Sequence, residues 1–361
     1  MLAAVLNQIG DAKLELRDDV TLTPVGTHDV RVKVRASGVC HSDLSAMTGA
    51  LPALAPGVLG HEGAGEVVEI GSGVTGLQPG DRAIIAFVAP CGRCTTCTGG
   101  QPYLCITHTL DAFANPRFLA GGTPAFGFAG SGTFAQEMIV PADAVIKVAD
   151  DVPYEVAALL ACGVLTGVGA VLNTAGVRPG ETAVVIGAGG VGVSVIQGLR
   201  ISGASTIVAV DPVEDKHAAA LGFGATHATT PDGLAELSQE LTGGLGYDYA
   251  FDVVGAGATI RAAYDNARRG GTAVVVGAGR GDDQVTFTPQ ELFITERKLL
   301  PSFYGGGDIR RDVPKLLDLW RAGRLQLEEM VSSRLPLRDV NEALDALRAG
   351  TAGTRQMVTF E

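Results

Sequence analysis

Positive charge is scarce in this chain. Its 361 residues carry 27 Lys and Arg against 39 Asp and Glu, a net charge of −12. No run of lysines or arginines occurs. A phosphate backbone needs a basic surface, so nucleic acid is excluded as a partner. A charged N-terminal segment followed by an apolar core and a cleavage site is also missing. The chain opens Met1-Leu2-Ala3-Ala4-Val5, which argues against a secretory signal. Long apolar runs free of glycine are absent too. The most apolar stretches, 157–172 and 182–199, are interrupted by glycines, so neither reads as membrane-spanning. Cysteine is rare: there are six, and none falls outside a metal-ligand pattern. Thiols grouped as CxxC without a secretory signal point to metal and to a reducing, cytoplasmic setting rather than to disulfides.

What is present is a globular composition. Hydrophobic residues make up 46% and charged residues 18%, and the length favours two domains over one core. The 50 glycines are scattered through apolar segments, which suits tight turns better than low complexity. The first 150 residues read as mostly β. Val30–Arg35 alternates apolar with charged, Glu66–Ile70 does the same, and Gln78-Pro-Gly-Asp81 is a turn. Short strands with frequent turns suggest a barrel or sandwich.

The pattern changes after about Ala161. Strands are expected at 182–186, 205–210, 251–254 and 272–276, with helices opening at Gly187–Gly192, at 215–221 and at 258–267. Such alternation means βαβ units and a parallel sheet. Burial on both faces explains why these strands are apolar throughout. The tail predicts helices over 313–322 and 340–349 and a closing strand over 357–360.

Gly187-x-Gly189-x-x-Gly192 follows a strand, opens a helix, and precedes an acidic residue, Asp211, that ends the next strand. That context makes it a dinucleotide-binding fingerprint. Gly187 permits the tight turn, Gly189 lets the backbone approach a pyrophosphate, and Gly192 allows close packing of helix on strand. The helix N-terminus favours the phosphates. Asp211 can accept from the adenosine ribose hydroxyls and would repel a 2′-phosphate, so NAD is expected over NADP.

Cys91, Cys94, Cys97 and Cys105 are spaced C-x2-C-x2-C-x7-C. Four thiolates at such spacing close a tetrahedral zinc shell and leave no open position. An iron–sulfur cluster also takes four thiolates, but NAD hydride chemistry needs no one-electron carrier. Cys40, His61 and Cys162 stand far apart. On spacing alone they read equally as ligands or as buried core residues.

The motifs Cys40-His-Ser-Asp43 and Gly60-His-Glu-Gly-Ala-Gly65 running on to Gly71 resemble the signature of the zinc-containing medium-chain alcohol dehydrogenases. The four-cysteine lobe, Cys162-Gly163, the Gly187–Gly192 turn and Asp211 follow in that family's order, so the likeness spans essentially the whole chain. It implies an α/β protein: a GroES-like, β-rich catalytic domain over 1–163 with a structural-zinc lobe at about 91–105, a doubly wound Rossmann NAD-binding domain over 164–303, and a return to the catalytic domain over 304–361. It also implies two zinc ions per chain and NAD. Two thiolates and one imidazole are the catalytic zinc ligands known in alcohol dehydrogenase, with one coordination position left open. Cys40, His61 and Cys162 match them, and Cys91, Cys94, Cys97 and Cys105 match the structural site. Glu62 matches an acidic residue close behind the catalytic metal. Asp43 matches the carboxylate that orients the histidine, and Ser42 the hydroxyl that bonds the substrate oxygen. Thr166 and Val191 match residues packing the nicotinamide. Gly187, Gly189, Gly190 and Gly192 match the pyrophosphate turn. His41, Lys216 and Arg355 match contacts at the pyrophosphate and ribose. Leu51 and Phe87 match positions that line the substrate pocket. One departure stands out: Ser45 occupies the place where many relatives end their proton relay with a histidine.

The resemblance implies oxidation of a small alcohol to its aldehyde or ketone. A direct dehydrogenase for primary alcohols, benzylic and allylic ones included, competes with a dehydrogenase for the formaldehyde adduct of a thiol such as glutathione or mycothiol. A zinc-free quinone reductase should lack these cysteines. A non-catalytic NAD-binding redox sensor has no use for an intact open metal site. The segment 106–132, with Phe113, Phe118, Phe126 and Phe128, reads either as a lid or as a surface loop with its own apolar cluster. No membrane partner is expected, and a homodimer or homotetramer is.

Overall fold

The alternation at Val30, Val32 and Val34 belongs to the longest strand, Asp29–Val39, whose valines are fully buried while Arg31, Lys33 and Arg35 between them are half-buried. Period-two patterning places one face on a core and the other toward solvent. This strand is the hub of a seven-stranded sheet. The order is Val145–Val148, Arg82–Ile85, Glu62–Ile70, Asp29–Val39, Arg355–Thr359, Val331–Pro336, and Glu137–Pro141 also pairs with the hub.

The computed structural model describes residues 1–361, and the chain divides into two units. The first holds 1–163, 308–314 and 327–361; the second holds 164–307 and 315–326. The tail beyond residue 303 is therefore divided, because the helix Ile309–Arg321 has its first turns in one unit and its remainder in the other.

A second sheet of the first unit runs Glu15–Arg17, Ala3–Leu6, Gly57–Val58, Thr123–Gly127, Phe118–Ala120, Val20–Leu22. The phenylalanine-rich segment is neither a lid nor a free loop. It forms the helix Ile106–Ala114, then a hairpin whose two strands are internal members of this sheet. Phe118 is completely buried in the core beside Val20, Val58 and Ala125.

The second unit is a six-stranded parallel sheet in the order His227–Thr229, Thr206–Val210, Thr182–Ile186, Tyr247–Asp252, Ala267–Val275, Lys298–Pro301. Numbered by sequence this is 3-2-1-4-5-6, the doubly wound dinucleotide order. Thr182–Ile186 is central, which explains its uninterrupted apolar run. The helix Gly190–Ser202 follows it and ends at Gly203, whose φ of 80° is the left-handed conformation that suits a glycine C-cap. No single helix in the chain is long and apolar enough to cross a membrane.

Candidate active site

The helix His41–Thr48 starts where it does because its first turn is capped internally. Asp43, at the third helical position, accepts from the backbone N–H of Cys40 at 3.1 Å, one half of a capping box. The same carboxylate accepts from the N–H of Gly60 at 3.1 Å and lies 3.2 Å from His61 Nδ1. Neither Asp43 nor His61 has any exposed surface. One buried side chain thus ties the helix start to the turn before the strand Glu62–Ile70. It also fixes the imidazole: with Nδ1–H donating to Asp43, the Nε2 lone pair is left for a ligand.

That Nε2 is buried and finds no hydrogen-bond partner, and both oxygens of Glu62 are in the same condition. Orphaned buried polar atoms are costly unless something completes them. The ligand atoms of Cys40, His61 and Glu62 all lie within 4.8 Å of one another. Cys162 is half-buried and stands against His61, its sulfur acting electrostatically on the imidazole. Burial opposes charge on His61, but Asp43 and the Cys162 thiol together hold its pKa well above the ordinary histidine value. Burial raises the Cys162 thiol. The donor set of two sulfurs and one imidazole suits zinc. Ser42 Oγ lies 3.8 Å from Cys40 Sγ, beside the ligands.

Arg355 is where sequence reasoning reaches least. It stands against this cluster, with Nη1 3.4 Å from Glu62 Oε1 and donating to the Val39 carbonyl at 3.2 Å. Its guanidinium stays protonated: burial opposes the charge, and Glu62, Cys40 and Cys162 outweigh it. A Cβ at Gly163 would come within 2.3 Å of Arg355 Nη2, so glycine beside Cys162 makes room for the cation. Two aromatic rings flank the imidazole of His61. Phe87 lies 5.2 Å away, centroid to centroid, and Phe128 5.3 Å, both edge-on. Phe87 was matched by resemblance. Phe128 was not singled out; its only signal was membership of the phenylalanine-rich segment. Leu51 follows the helix, its N–H donating to the Ser45 carbonyl at 3.0 Å.

The sulfurs of Cys91, Cys94, Cys97 and Cys105 also lie within 4.8 Å of one another, with Cys91 to Cys97 at 4.0 Å and Cys94 to Cys105 at 3.9 Å. Tetrahedral zinc with Zn–S bonds near 2.3 Å needs sulfurs about 3.8 Å apart, so the lobe fits the ion. The thiols divide. The Thr96 hydroxyl draws Cys94 down to about 4, and burial pushes Cys97 up to about 12. Four sulfurs this close cannot all ionise without a cation among them.

In the second unit, Gly187 takes a φ of 102°, and a Cβ at Gly192 would stand 2.0 Å from the Gly187 carbonyl oxygen. Both glycines are therefore required. Around Gly189 nothing comes within 4 Å of the Cβ position, which leaves the helix N-terminus open for a phosphate. Asp211 ends the neighbouring strand, and its carboxylate accepts from Ala188 N–H at 2.9 Å and Val213 N–H at 3.0 Å, with Lys216 Nζ at 3.6 Å. Asp211 thus braces the glycine turn itself, a second task beyond the one expected at a ribose. A Cβ at Gly167 would lie 2.6 Å from the Val191 carbonyl, so the helix carrying Thr166 packs through Gly167 on the start of Gly190–Ser202. His41 and Arg355 belong to the first unit.

Comparison with known proteins agrees with this geometry. Residues 26–150 match the alcohol dehydrogenase GroES-like domain and residues 190–322 the zinc-binding dehydrogenase family. The chain is 36% identical to S-(hydroxymethyl)glutathione dehydrogenase of Paracoccus denitrificans, over 92% of this chain and 93% of that protein. It is 38% identical to alcohol dehydrogenase class-3 of Myxine glutinosa, over 92% and 91%. Benzyl alcohol dehydrogenase of Acinetobacter calcoaceticus superposes with a TM-score of 0.92 at 30% identity, over 100% of this chain and 99% of that one. The chain belongs to the zinc-containing medium-chain alcohol dehydrogenase family and is an NAD-dependent oxidoreductase acting on CH–OH groups.

Proposed function

We propose that the enzyme oxidises primary alcohols bearing an aromatic or allylic group, giving the aldehyde and NADH. The observation that carries this reading is the pair of rings, Phe87 and Phe128, set edge-on at 5.2 and 5.3 Å from His61. Flat apolar walls beside the reacting centre suit a flat apolar substrate. The benzyl alcohol activity named for the Acinetobacter relative supports it.

When bound, zinc supplies Lewis-acid polarisation of the alcohol hydroxyl, and NAD supplies the hydride acceptor. Cys40, His61 and Cys162 would hold the metal, with Glu62 behind them, its carboxylate facing the Arg355 guanidinium. Asp43 holds the tautomer of His61. Ser42 would accept the alcohol proton's hydrogen bond and pass it outward. Ser45, on the next turn of the same helix, offers a hydroxyl and not a base, so the proton leaves to solvent or by His41 rather than to a histidine relay at that position. The glycine turn at 187–192 would seat the pyrophosphate, and Asp211 the adenosine ribose.

A second reading is favoured by the names of the two sequence relatives: oxidation of a formaldehyde–thiol adduct. The deciding experiment follows NADH formation with benzyl alcohol, and with formaldehyde in the presence and absence of glutathione or mycothiol. Turnover of benzyl alcohol without thiol supports the first reading. Turnover only with formaldehyde plus thiol replaces it with the second.

We propose further that the enzyme works in the cytoplasm as a homo-oligomer built on the second unit. Its six free cysteines suit a reducing compartment. The strand Lys298–Pro301 ends the parallel sheet and pairs on one side only; Leu299 within it is exposed, and so is Phe293 (87%) on the helix Pro289–Thr295 before it. An edge of this kind invites pairing with a second copy.

A further inference from the structure

We infer that the helix Ile106–Ala114 is a positioning element for the aromatic wall, acting through His108 on the turn that carries Phe128. This rests on the reading of the ring pair as the substrate wall.

The helix is held at both ends. Cys105 caps its start, its sulfur accepting from the His108 backbone N–H at 3.4 Å. Near its end, Asp111 is gripped by Arg117 at 2.8 and 3.2 Å and by the Asn115 amide. Thus fixed, it presents His108 and Ala112 to the turn Phe128–Gly130. A Cβ at Gly130 would stand 3.2 Å from Ala112 Cβ and 3.3 Å from His108 Cε1, so the helix rests directly on that glycine. The turn needs such support. Ala129 and Gly130 both hold left-handed backbone, with φ of 52° and 72°. For alanine that conformation is costly and persists only where its surroundings over-determine it. This pair of residues turns the chain so that Phe128 faces His61.

His108 is 8% exposed. It lines a cavity of about 700 Å3 whose walls also include Asp29, Arg93 and Lys147. Its Nδ1 has no partner, so the ring donates through Nε2. The carbonyls of Phe87 and Ala129 face the imidazole. The same histidine therefore touches the backbone of Phe87, which carries one ring, and of Ala129, next to Phe128, which carries the other. A chain of contacts runs from the four-cysteine lobe through Cys105 and His108 to both walls.

The test compares kcat and KM for benzyl alcohol and for ethanol in three variants, with zinc content measured in each. His108→Leu fills the space but cannot donate. It should raise KM for benzyl alcohol about tenfold with kcat little changed, because only ground-state positioning is lost, and should leave ethanol within about twofold, since a small substrate barely touches the walls. His108→Gln, whose amide can reach where Nε2 stood, should restore most of the benzyl alcohol KM. A merely space-filling histidine predicts the opposite order, with Leu tolerated and Gln not. Ala112→Val presses on Gly130 without removing a hydrogen bond and should lower the benzyl-to-ethanol ratio even if His108→Leu does not fold. Equal losses on both alcohols, no rescue by Gln, or an unchanged ratio in Ala112→Val overturns the inference. A wild-type enzyme that ignores benzyl alcohol overturns the substrate reading instead, and the two failures are distinct.

Discussion

His61 Nδ1 lies 3.2 Å from Asp43 Oδ1, both groups are fully buried, and His61 Nε2 is left without a partner. Asp43 therefore acts on the metal through the histidine, and its amide analogue separates that role from packing. Asp43→Asn keeps the size and one acceptor but loses the charge that orients the imidazole and strengthens it as a ligand. Removing such a partner typically lowers metal affinity 10- to 100-fold, here taken as about 30-fold. Competition with a chelator of known zinc affinity measures it. Unchanged affinity at the catalytic site would show that Cys40 N–H and Gly60 N–H, not His61, are the reason for Asp43.

Gly192 faces the Gly187 carbonyl so closely that a Cβ would sit 2.0 Å from its oxygen. The obstacle is backbone, which cannot swing aside as a side chain can. Gly192→Ala should push the Gly190–Ser202 helix off the strand end, costing about 2 kcal/mol as an overpacked site and weakening NAD at least as strongly. Thermal melting with and without NAD reads both. A variant with normal stability and normal NAD affinity would contradict the turn geometry.

Asp211 has two tasks that one substitution can separate. Its oxygens accept from Ala188 and Val213 N–H, so Asp211→Ala would damage the turn and blur any effect on cofactor choice. Asp211→Asn retains one acceptor and removes the charge. The preference for NAD over NADP should narrow by about tenfold, equivalent to about 1.4 kcal/mol. Initial rates with the two cofactors decide it. A preference that stays put would remove the repulsion argument for Asp211.

The short-range chemistry was legible in the sequence and the long-range chemistry was not. Four cysteines within fifteen residues, or glycines set around one turn, declare themselves because ligand and φ requirements act over a few residues. The alternating valines of Asp29–Val39 and the apolar Thr182–Ile186 strand were readable for the same reason: period two and double-sided burial are local signals. Phe128 was not readable, since its position depends on left-handed backbone at Ala129 and on a helix that presses against Gly130. That helix did carry a signal, with Ile106, Leu110 and Phe113 at helical spacing, but the glycines and prolines after it made the whole segment look irregular. The pairing of Arg355 with Glu62 joins residues far apart in sequence, and nothing near either one announces it.

Arg117 supplies the last prediction, one in which pH is the readout. It is 10% exposed at the side chain and holds Asp111 and Asp29 together, at 2.8 and 3.3 Å. Burial by itself would raise the pKa of Asp111, but the Arg117 guanidinium outweighs it and holds the carboxyl below the ordinary range. A carboxyl depressed in the folded state contributes stability above its unfolded pKa and loses it as pH falls through the folded one. Arg117→Met keeps most of the stem's packing and leaves two carboxylates facing each other. The cost should be about 2 kcal/mol at pH 7, toward the charged hydrogen-bond range, because the pair is only partly shielded from water. As pH drops toward 4 the wild type begins to lose its advantage while the variant's Asp111 carboxyl, no longer held down, takes up a proton and stops repelling its neighbour. The difference in melting temperature between the two proteins should therefore shrink steadily with acid. A difference that is the same at pH 7 and pH 4 would mean that Arg117 contributes through its packed stem and not through its charge.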